Sequence, residues 1–127
     1  MRNVKFENSK SGYESDDIKY AFDHNGLGAH LENLDVIVAE VCGENDDYGW
    51  HWILQMKDGM FRYAEGGCDY TGWDCQSYAT ISDPVKTIEE ALELAPEVEE
   101  HGKRAIRANL RRQVTGEQAF ASYVERA

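Results

Sequence analysis

Apolar residues recur every three or four positions between residues 18 and 34, which predicts helical structure early in the chain. The first helix is expected to begin near Ser15, because its hydroxyl and the two carboxylates that follow suit the positive end of a helix dipole. It is expected to end at Gly26, since glycine readily takes the positive φ of a helix C-terminus. Leucines at positions 27, 31 and 34 predict a second short amphipathic segment.

The period shortens further along the chain, which predicts strands. Residues 36–42 are β-branched and almost continuously apolar, as expected of a central strand with both faces covered. Residues 50–57 alternate, with Trp50, Trp52, Leu54 and Met56 on one face and a more polar face that includes His51. An acidic loop, residues 43–49, separates the two predicted strands.

Asp58-Gly59 is a strong hairpin signal, because a two-residue type I′ turn requires positive φ at both positions. Such a turn sets Met56 opposite Phe61, and the apolar faces of the two strands then coincide. A further strand is expected at about residues 76–81, after a loop rich in glycine and cysteine.

The last third of the sequence is predicted to be helical. Thr87 and Glu90 have the spacing of a capping box. Pro96 is expected to open a further helix, because proline is tolerated in a first turn. Another helix start is predicted at residues 115–118. The sequence therefore predicts a single α+β domain over residues 1–127, with an antiparallel β-meander of three to four strands packed against N-terminal and C-terminal helices.

The chain carries a formal net charge of −11, of which −10 falls on residues 1–83 and −1 on residues 84–127. An acidic surface repels nucleic acid and anionic lipid and attracts basic protein surfaces, so we expect neither nucleic-acid nor membrane binding. Simple solubility is the alternative explanation for this charge. Three cysteines, no apolar run long enough for a membrane span and no secretory signal predict a cytoplasmic protein.

Carboxylates at the predicted ends of the hairpin form the first candidate site. A rigid row of carboxylates can imitate DNA phosphates and occupy a basic groove, an interaction that would weaken with salt. A solvated loop surface is the alternative. The predicted partner-binding residues are Glu44, Asp46, Asp47, Asp58 and Glu65.

The loop over residues 66–77 is the second candidate site, since a simple connection does not need two large aromatic residues among its turn residues. Tyr70 and Trp73 could stack a planar ring while polar side chains bond its edges. The alternative is a tight connection whose tryptophan fills the core. The predicted ligand-binding residues are Arg62, Asp69, Tyr70, Thr71, Trp73, Asp74 and Gln76.

Metal, cofactor and catalytic sites are not predicted. The three cysteines lack the close spacing of zinc ligands and are expected to be free thiols. Asp69 and Asp74 could pair as acid and base, but no nucleophile or oxyanion hole accompanies them, so an enzyme is not the favoured class. His51 could be a general base or an ordinary half-exposed histidine. Arginines 104, 107 and 111 share a helical face, which suits either phosphate binding or the negative end of a helix dipole.

The segment Trp50-His51-Trp52-Ile53, the Asp58-Gly59 turn and Gly66-Gly67-Cys68-Asp69-Tyr70-Thr71-Gly72-Trp73-Asp74-Cys75-Gln76-Ser77 resemble small accessory proteins of bacteriophage and bacterial genomes. The resemblance implies an origin and no mechanism. Our leading hypothesis is a cytoplasmic interaction protein that binds the basic surface of a host nucleic-acid-handling or defence protein as an inhibitor. The alternative hypothesis is a small-ligand or nucleotide-binding protein. Exposed aromatic residues on the hairpin would favour a homodimer.

Overall fold

The computed structural model describes residues 12–99 and 102–114, with side chains from residue 17 onward. In chain order the described elements are α1 (Gly12–Asp23), α2 (Gly28–Glu32), β1 (Leu34–Val41), β2 (Trp50–Met56), β3 (Phe61–Cys68), β4 (Ser77–Ile81), α3 (Ile88–Leu94) and α4 (Ile106–Gln113). The strands form one antiparallel sheet in the order β1-β2-β3-β4. The predicted α+β fold is confirmed.

Strand β2 runs through the centre of the core, and all seven of its residues are buried. Because successive side chains of a strand point to opposite faces, helices must cover both faces of the sheet. On one face α1 packs its Phe22 edge-to-face against Trp52, with ring centroids 6.2 Å apart. Helices α3 and α4 contact β1, β2 and β3 and cover the other face.

Strand β1 lies at the edge of the sheet, so the prediction that it is central is wrong. Its apolar run is buried because helix α4 packs against it. The side-chain amide of Gln113 also closes its open edge: Nε2 donates to the carbonyl oxygen of Glu40 at 2.6 Å, and Oε1 accepts from the amide of Glu40 at 3.0 Å. At Glu40 the backbone groups on the open edge are thus bonded within the chain, which is one way in which edge strands are protected from pairing with other chains.

The β2–β3 hairpin has a three-residue loop, so the predicted two-residue turn and its register are wrong by one residue. The amide of Gly59 donates to Met56 O at 2.9 Å, and the amide of Met56 donates to Met60 O at 2.9 Å. Only Gly59 has a positive φ in this turn, +85°, as in a type I turn followed by a glycine bulge. Phe61 therefore lies opposite Gln55 instead of Met56.

The helical predictions are met in part. Helix α1 begins at Gly12, earlier than expected, and Gly26 follows its end with a φ of +75°. The capping box of α3 is confirmed. The prediction that a helix opens at Pro96 is wrong, because α3 ends at Leu94 and residues 96–99 are not helical. Ala95 is extended, and its carbonyl oxygen accepts from Arg107 at 2.8 Å. The helix predicted from residue 115 lies outside the described residues.

None of the described helices is long and apolar enough to cross a membrane. The aromatic residues of the β2–β3 hairpin are buried within the chain itself, so the feature expected to favour a homodimer is not exposed. These residues are Trp50, Trp52, Phe61 and Tyr63.

Candidate functional site

The β1–β2 loop, residues 42–49, and the β3–β4 loop, residues 69–76, meet at one end of the sheet because the strands form an antiparallel meander. The amide of Asp46 donates to Cys68 O at 2.8 Å and ties the two loops together. We call this end, formed by residues 42–49 and 69–76, the acidic end.

Backbone geometry holds the β1–β2 loop in one shape. The amide of Glu44 donates to Tyr48 O at 2.9 Å, and the amide of Tyr48 donates back to Glu44 O at 3.1 Å. Asp46 has a φ of +65°, a conformation that Asp and Asn tolerate better than most residues. A Cβ on Gly43 would lie 2.3 Å from Tyr48 O, so the tight turn requires glycine there. The exposed carboxylates of this loop are thus held on a defined backbone.

Asp69 shapes the β3–β4 loop. Its Oδ1 accepts the amide of Thr71 at 2.8 Å and also the hydroxyl of Thr71, and these bonds lower the pKa of Asp69. The amide of Asp69 donates to Gln76 O at 3.1 Å and closes the base of the loop. Asp69 and Thr71, predicted as ligand-binding residues, thus bond to each other in the turn.

The two aromatic residues of the β3–β4 loop point in different directions. Tyr70 is 78% exposed. Trp73 is half-buried, with its ring centroid 4.8 Å from that of Trp50 and its indole N–H directed at Asp17 Oδ1, 3.4 Å away. Trp73 therefore fills the space between α1 and the sheet, in agreement with the alternative that it fills the core.

Two of the predicted site residues lie away from the acidic end. Asp58 is exposed in the hairpin turn at the opposite end of β2, about 20 Å away for a seven-residue strand. Arg62 lies near that same end of β3 and donates to Ser82 O at 2.8 Å. The structure thus brings together Glu44, Asp46 and Asp47 from the first site and Asp69, Asp74 and Gln76 from the second.

An open cavity of about 620 Å³, the loop cavity, lies between the two loops. Asp46, Asp47 and Asp69 line it together with Tyr48 and Tyr78, and none of the described residues in its lining is lysine or arginine. Cys68, at the end of β3, and Cys75 also line it as free thiols, and burial raises the pKa of the Cys68 thiol. The chemistry of this lining favours cationic groups over anionic ones.

A second cavity of about 500 Å³, the histidine cavity, adjoins the loop cavity, since Asp47, Tyr48, Gly49 and Tyr78 line both. His51 lines the histidine cavity from the sheet and is only 5% exposed, so the half-exposed histidine expected from the sequence is buried.

A chain of hydrogen bonds runs along the sheet behind this cavity. His51 Nδ1 lies 2.8 Å from the Tyr63 hydroxyl, which donates to Glu65 Oε1 at 2.9 Å. The Tyr78 hydroxyl donates to the other oxygen, Glu65 Oε2, at 3.2 Å. Both carboxylate oxygens of Glu65 are therefore engaged within the chain.

Burial and this shared carboxylate shift the pKa values of the cluster. Burial lowers the pKa of His51 below 6.5, against the opposing effect of the Glu65 charge. Burial and the Glu65 carboxylate raise the pKa of Tyr63, and the same causes raise that of Tyr78 to about 12. At neutral pH the imidazole and both phenols are thus uncharged.

Arg104 fastens the segment between α3 and α4 to the acidic end. Its guanidinium donates to Cys42 O and Gly49 O at 2.7 Å each, pairs with Glu99 at 2.6 Å, and lies 4.4 Å from the ring centroid of Tyr48. Phosphate binding was one interpretation of Arg104, Arg107 and Arg111, and in the structure Arg104 holds the β1–β2 loop instead. The exposed Arg111 pairs with Glu89.

The cluster of His51, Tyr63 and Tyr78 was not predicted from the sequence. The predicted two-residue turn sets His51 opposite Gly66, whereas the three-residue loop sets it opposite Glu65. The sequence feature that could have indicated this cluster is the Tyr63-x-Glu65 spacing, because in the correct register it places both side chains on the same face of the sheet as His51. Among the described residues, no group of three His, Cys, Asp or Glu side chains could hold a metal ion.

Comparisons of the chain with protein-family models, with curated proteins and with solved structures found no match.

Proposed function

We propose that this chain is a cytoplasmic, phage-type binding protein that occupies the basic surface of a nucleic-acid-handling protein and excludes its nucleic acid. One observation carries the proposal: the carboxylates of two separate loops meet at the acidic end, where they line a cavity of about 620 Å³. Basic grooves that hold DNA phosphates attract such an array through the same electrostatics.

The rigidity of the loops supports this proposal. Binding is weakened when loops and side chains must be ordered on contact. Here the Asp46–Cys68 backbone bond joins the loops, and Arg104 anchors the β1–β2 loop through Gly49 O. The carboxylates thus need little reorganisation to meet a basic surface.

The nucleotide-binding alternative is less well supported. Trp73 is packed against Trp50, and Arg62, the nearest predicted phosphate partner, bonds to Ser82 O near the other end of β3. The carboxylates that line the loop cavity would repel a phosphate group.

Displacement of DNA from a basic probe protein tests the proposal. A short fluorescent duplex bound to a linker histone would be titrated with the chain, and fluorescence anisotropy would report its release. The site variant combines Glu44→Gln, Asp46→Asn and Asp47→Asn, in which asparagine tolerates the positive φ at position 46. We expect wild type to release the DNA, less effectively at high salt, and the site variant to need about tenfold more protein.

A matched control removes the same three charges from the hairpin end of the sheet. Glu32→Gln, Asp58→Asn and Asp83→Asn are all at exposed positions, and asparagine at position 58 retains an oxygen for the amide of Met60. We expect this control to release DNA as wild type does. Equal losses in both variants would mean that only net charge matters, and the site assignment would be wrong. No release by wild type would overturn the proposal itself.

A further inference from the structure

The proton positions in the cluster of His51 follow from its hydrogen bonds. A carboxylate accepts hydrogen bonds and does not donate them, so the Tyr63 hydroxyl donates its one proton to the hydrogen bond with Glu65 Oε1, 2.9 Å away. The short contact between Tyr63 O and His51 Nδ1, 2.8 Å, therefore requires the proton on Nδ1. The uncharged imidazole then carries its lone pair on Nε2.

The Nε2 atom of His51 faces the histidine cavity. His51 lines that cavity, and a Cβ placed on Gly49, another lining residue, would lie 3.7 Å from Nε2. No described residue forms a hydrogen bond with Nε2, and no buried side-chain nitrogen or oxygen among the described residues lacks a partner, so Nε2 is accessible through the cavity although His51 as a whole is only 5% exposed. An acceptor nitrogen that is reached through a cavity is suited to a hydrogen-bond donor from a ligand that occupies the cavity.

The charge of the histidine cavity indicates which kind of donor it suits. Asp47, Glu65 and Glu99 line it against one basic side chain, Lys103. Glu99 already pairs with Arg104, and Glu65 accepts from Tyr63 and Tyr78, so Asp47 is the carboxylate of this lining that the proposal below uses. Tyr48 and Tyr78 supply aromatic walls, which also favour cations. The cavity thus combines excess negative charge, ring faces and a neutral imidazole acceptor.

We propose that the histidine cavity binds the guanidinium group of an arginine on the basic partner, with His51 Nε2 and the Asp47 carboxylate as its acceptors. This inference rests on the proposed function and names the group of the partner that the acidic end recognises. A guanidinium offers five N–H donors in a planar fork and stacks on aromatic rings, so it can satisfy separated acceptors better than an ammonium group.

Arg104 illustrates the same chemistry within the chain. Its guanidinium lies over the ring of Tyr48 and donates both to backbone carbonyls and to Glu99. The region beside the histidine cavity thus already holds one guanidinium by stacking and by several acceptors at once.

Two substitutions of His51 separate the roles of its ring nitrogens. In His51→Asn the side-chain amide nitrogen overlays Nδ1, so it can still donate to Tyr63 but offers nothing at the Nε2 position. In His51→Gln the side-chain oxygen reaches the Nε2 position and restores an acceptor facing the cavity. The probes are end-blocked Gly-Gly-Arg-Gly-Gly and the same peptide with lysine or citrulline in place of arginine.

Binding is measured by NMR through the ring ¹⁵N resonances of His51, which also report its tautomer in the wild-type protein. We expect the arginine peptide to shift the Nε2 resonance and to bind more tightly than the lysine peptide, with citrulline weakest. His51→Asn should weaken arginine binding about tenfold, as for loss of one hydrogen bond to a charged group, and His51→Gln should recover most of it. Unchanged His51 resonances, or equal binding of the lysine peptide, would overturn the inference.

Free L-arginine distinguishes a small molecule from a partner's side chain. Its own carboxylate meets an acidic cavity, so we expect it to bind less tightly than the blocked peptide. Tighter binding of the free amino acid would overturn the assignment to a partner's arginine. If His51→Asn released DNA from an arginine-rich protamine as well as wild type does, this inference would fail while the proposed function stood. If wild type released no DNA but still bound the arginine peptide, the proposed function would fail alone.

Discussion

Replacement of Arg104 by methionine tests whether one side chain holds the β1–β2 loop against the rest of the domain. The guanidinium donates to Cys42 O and Gly49 O at 2.7 Å each and pairs with Glu99 at 2.6 Å. Methionine retains the apolar stem and removes every one of these bonds, along with the contact to the Tyr48 ring. The carboxylate of Glu99 then keeps its charge without this partner.

The magnitude follows from burial. Removal of one partner of a buried ion pair costs about 3–5 kcal/mol, and a hydrogen bond from a charged donor contributes about 1.5–3 kcal/mol. The side chains of Arg104 and Glu99 are 19% and 17% exposed, so water replaces part of what is lost. We therefore expect Arg104→Met to lower the free energy of unfolding by about 3 kcal/mol.

Urea denaturation followed by tryptophan fluorescence measures this change. With an m-value of about 2 kcal/mol/M, the midpoint should fall by about 1.5 M. Arg111→Met is the matched control, because its ion pair with Glu89 joins side chains that are 47% and 59% exposed and should contribute less than about 1 kcal/mol. A loss below about 1 kcal/mol for Arg104→Met, or equal losses in the two variants, would refute the anchoring role.

Three further predictions concern the cluster of His51 and the edge of the sheet. Burial lowers the pKa of His51 in the folded chain, so its stabilising effect is full above about pH 6.5, the unfolded value, and is lost as the pH falls through the folded value. The urea midpoints measured at pH 5 and at pH 7.5 should therefore differ less in His51→Asn than in wild type. Glu65→Gln should lower the pKa of Tyr78 from about 12 toward 10 without reaching 10, because burial, the larger cause of the raised pKa, remains. Ultraviolet titration of the phenols measures this shift, and an unchanged titration curve would contradict the prediction. Gln113→Ala removes the two side-chain bonds to the backbone of Glu40 and should increase self-association, measured by sedimentation velocity. If the variant sediments as wild type does, the edge of β1 is protected by other means.

Local patterns in the sequence predicted much of the secondary structure. The capping box of Thr87 and Glu90, the positive φ of Gly26 after α1 and strand β4 over residues 77–81 all depend on residues close together in the chain. The part of the acidic end contributed by Glu44, Asp46 and Asp47 was likewise visible, because these carboxylates lie in one exposed loop.

Long-range contacts decided what the sequence pattern missed. Apolar residues in β1 indicated burial on both faces, but an edge strand covered by α4 has the same pattern as a central strand. The backbone is extended at Ala95, and its carbonyl oxygen accepts from the guanidinium of Arg107, twelve residues further along the chain. Such bonds are not encoded in local spacing.

The sequence by itself determined that this is an acidic α+β domain with a β-meander and a carboxylate-rich loop, because charge and hydrophobic period are properties of the chain. Only the tertiary structure decided how the loops and strands meet. One additional residue in the β2–β3 turn moved Glu65 opposite His51, and the meander brought Asp69 beside Asp46. Strand pairing turns a shift of one residue into a different set of neighbours, so the cluster of His51 exists only in the folded register.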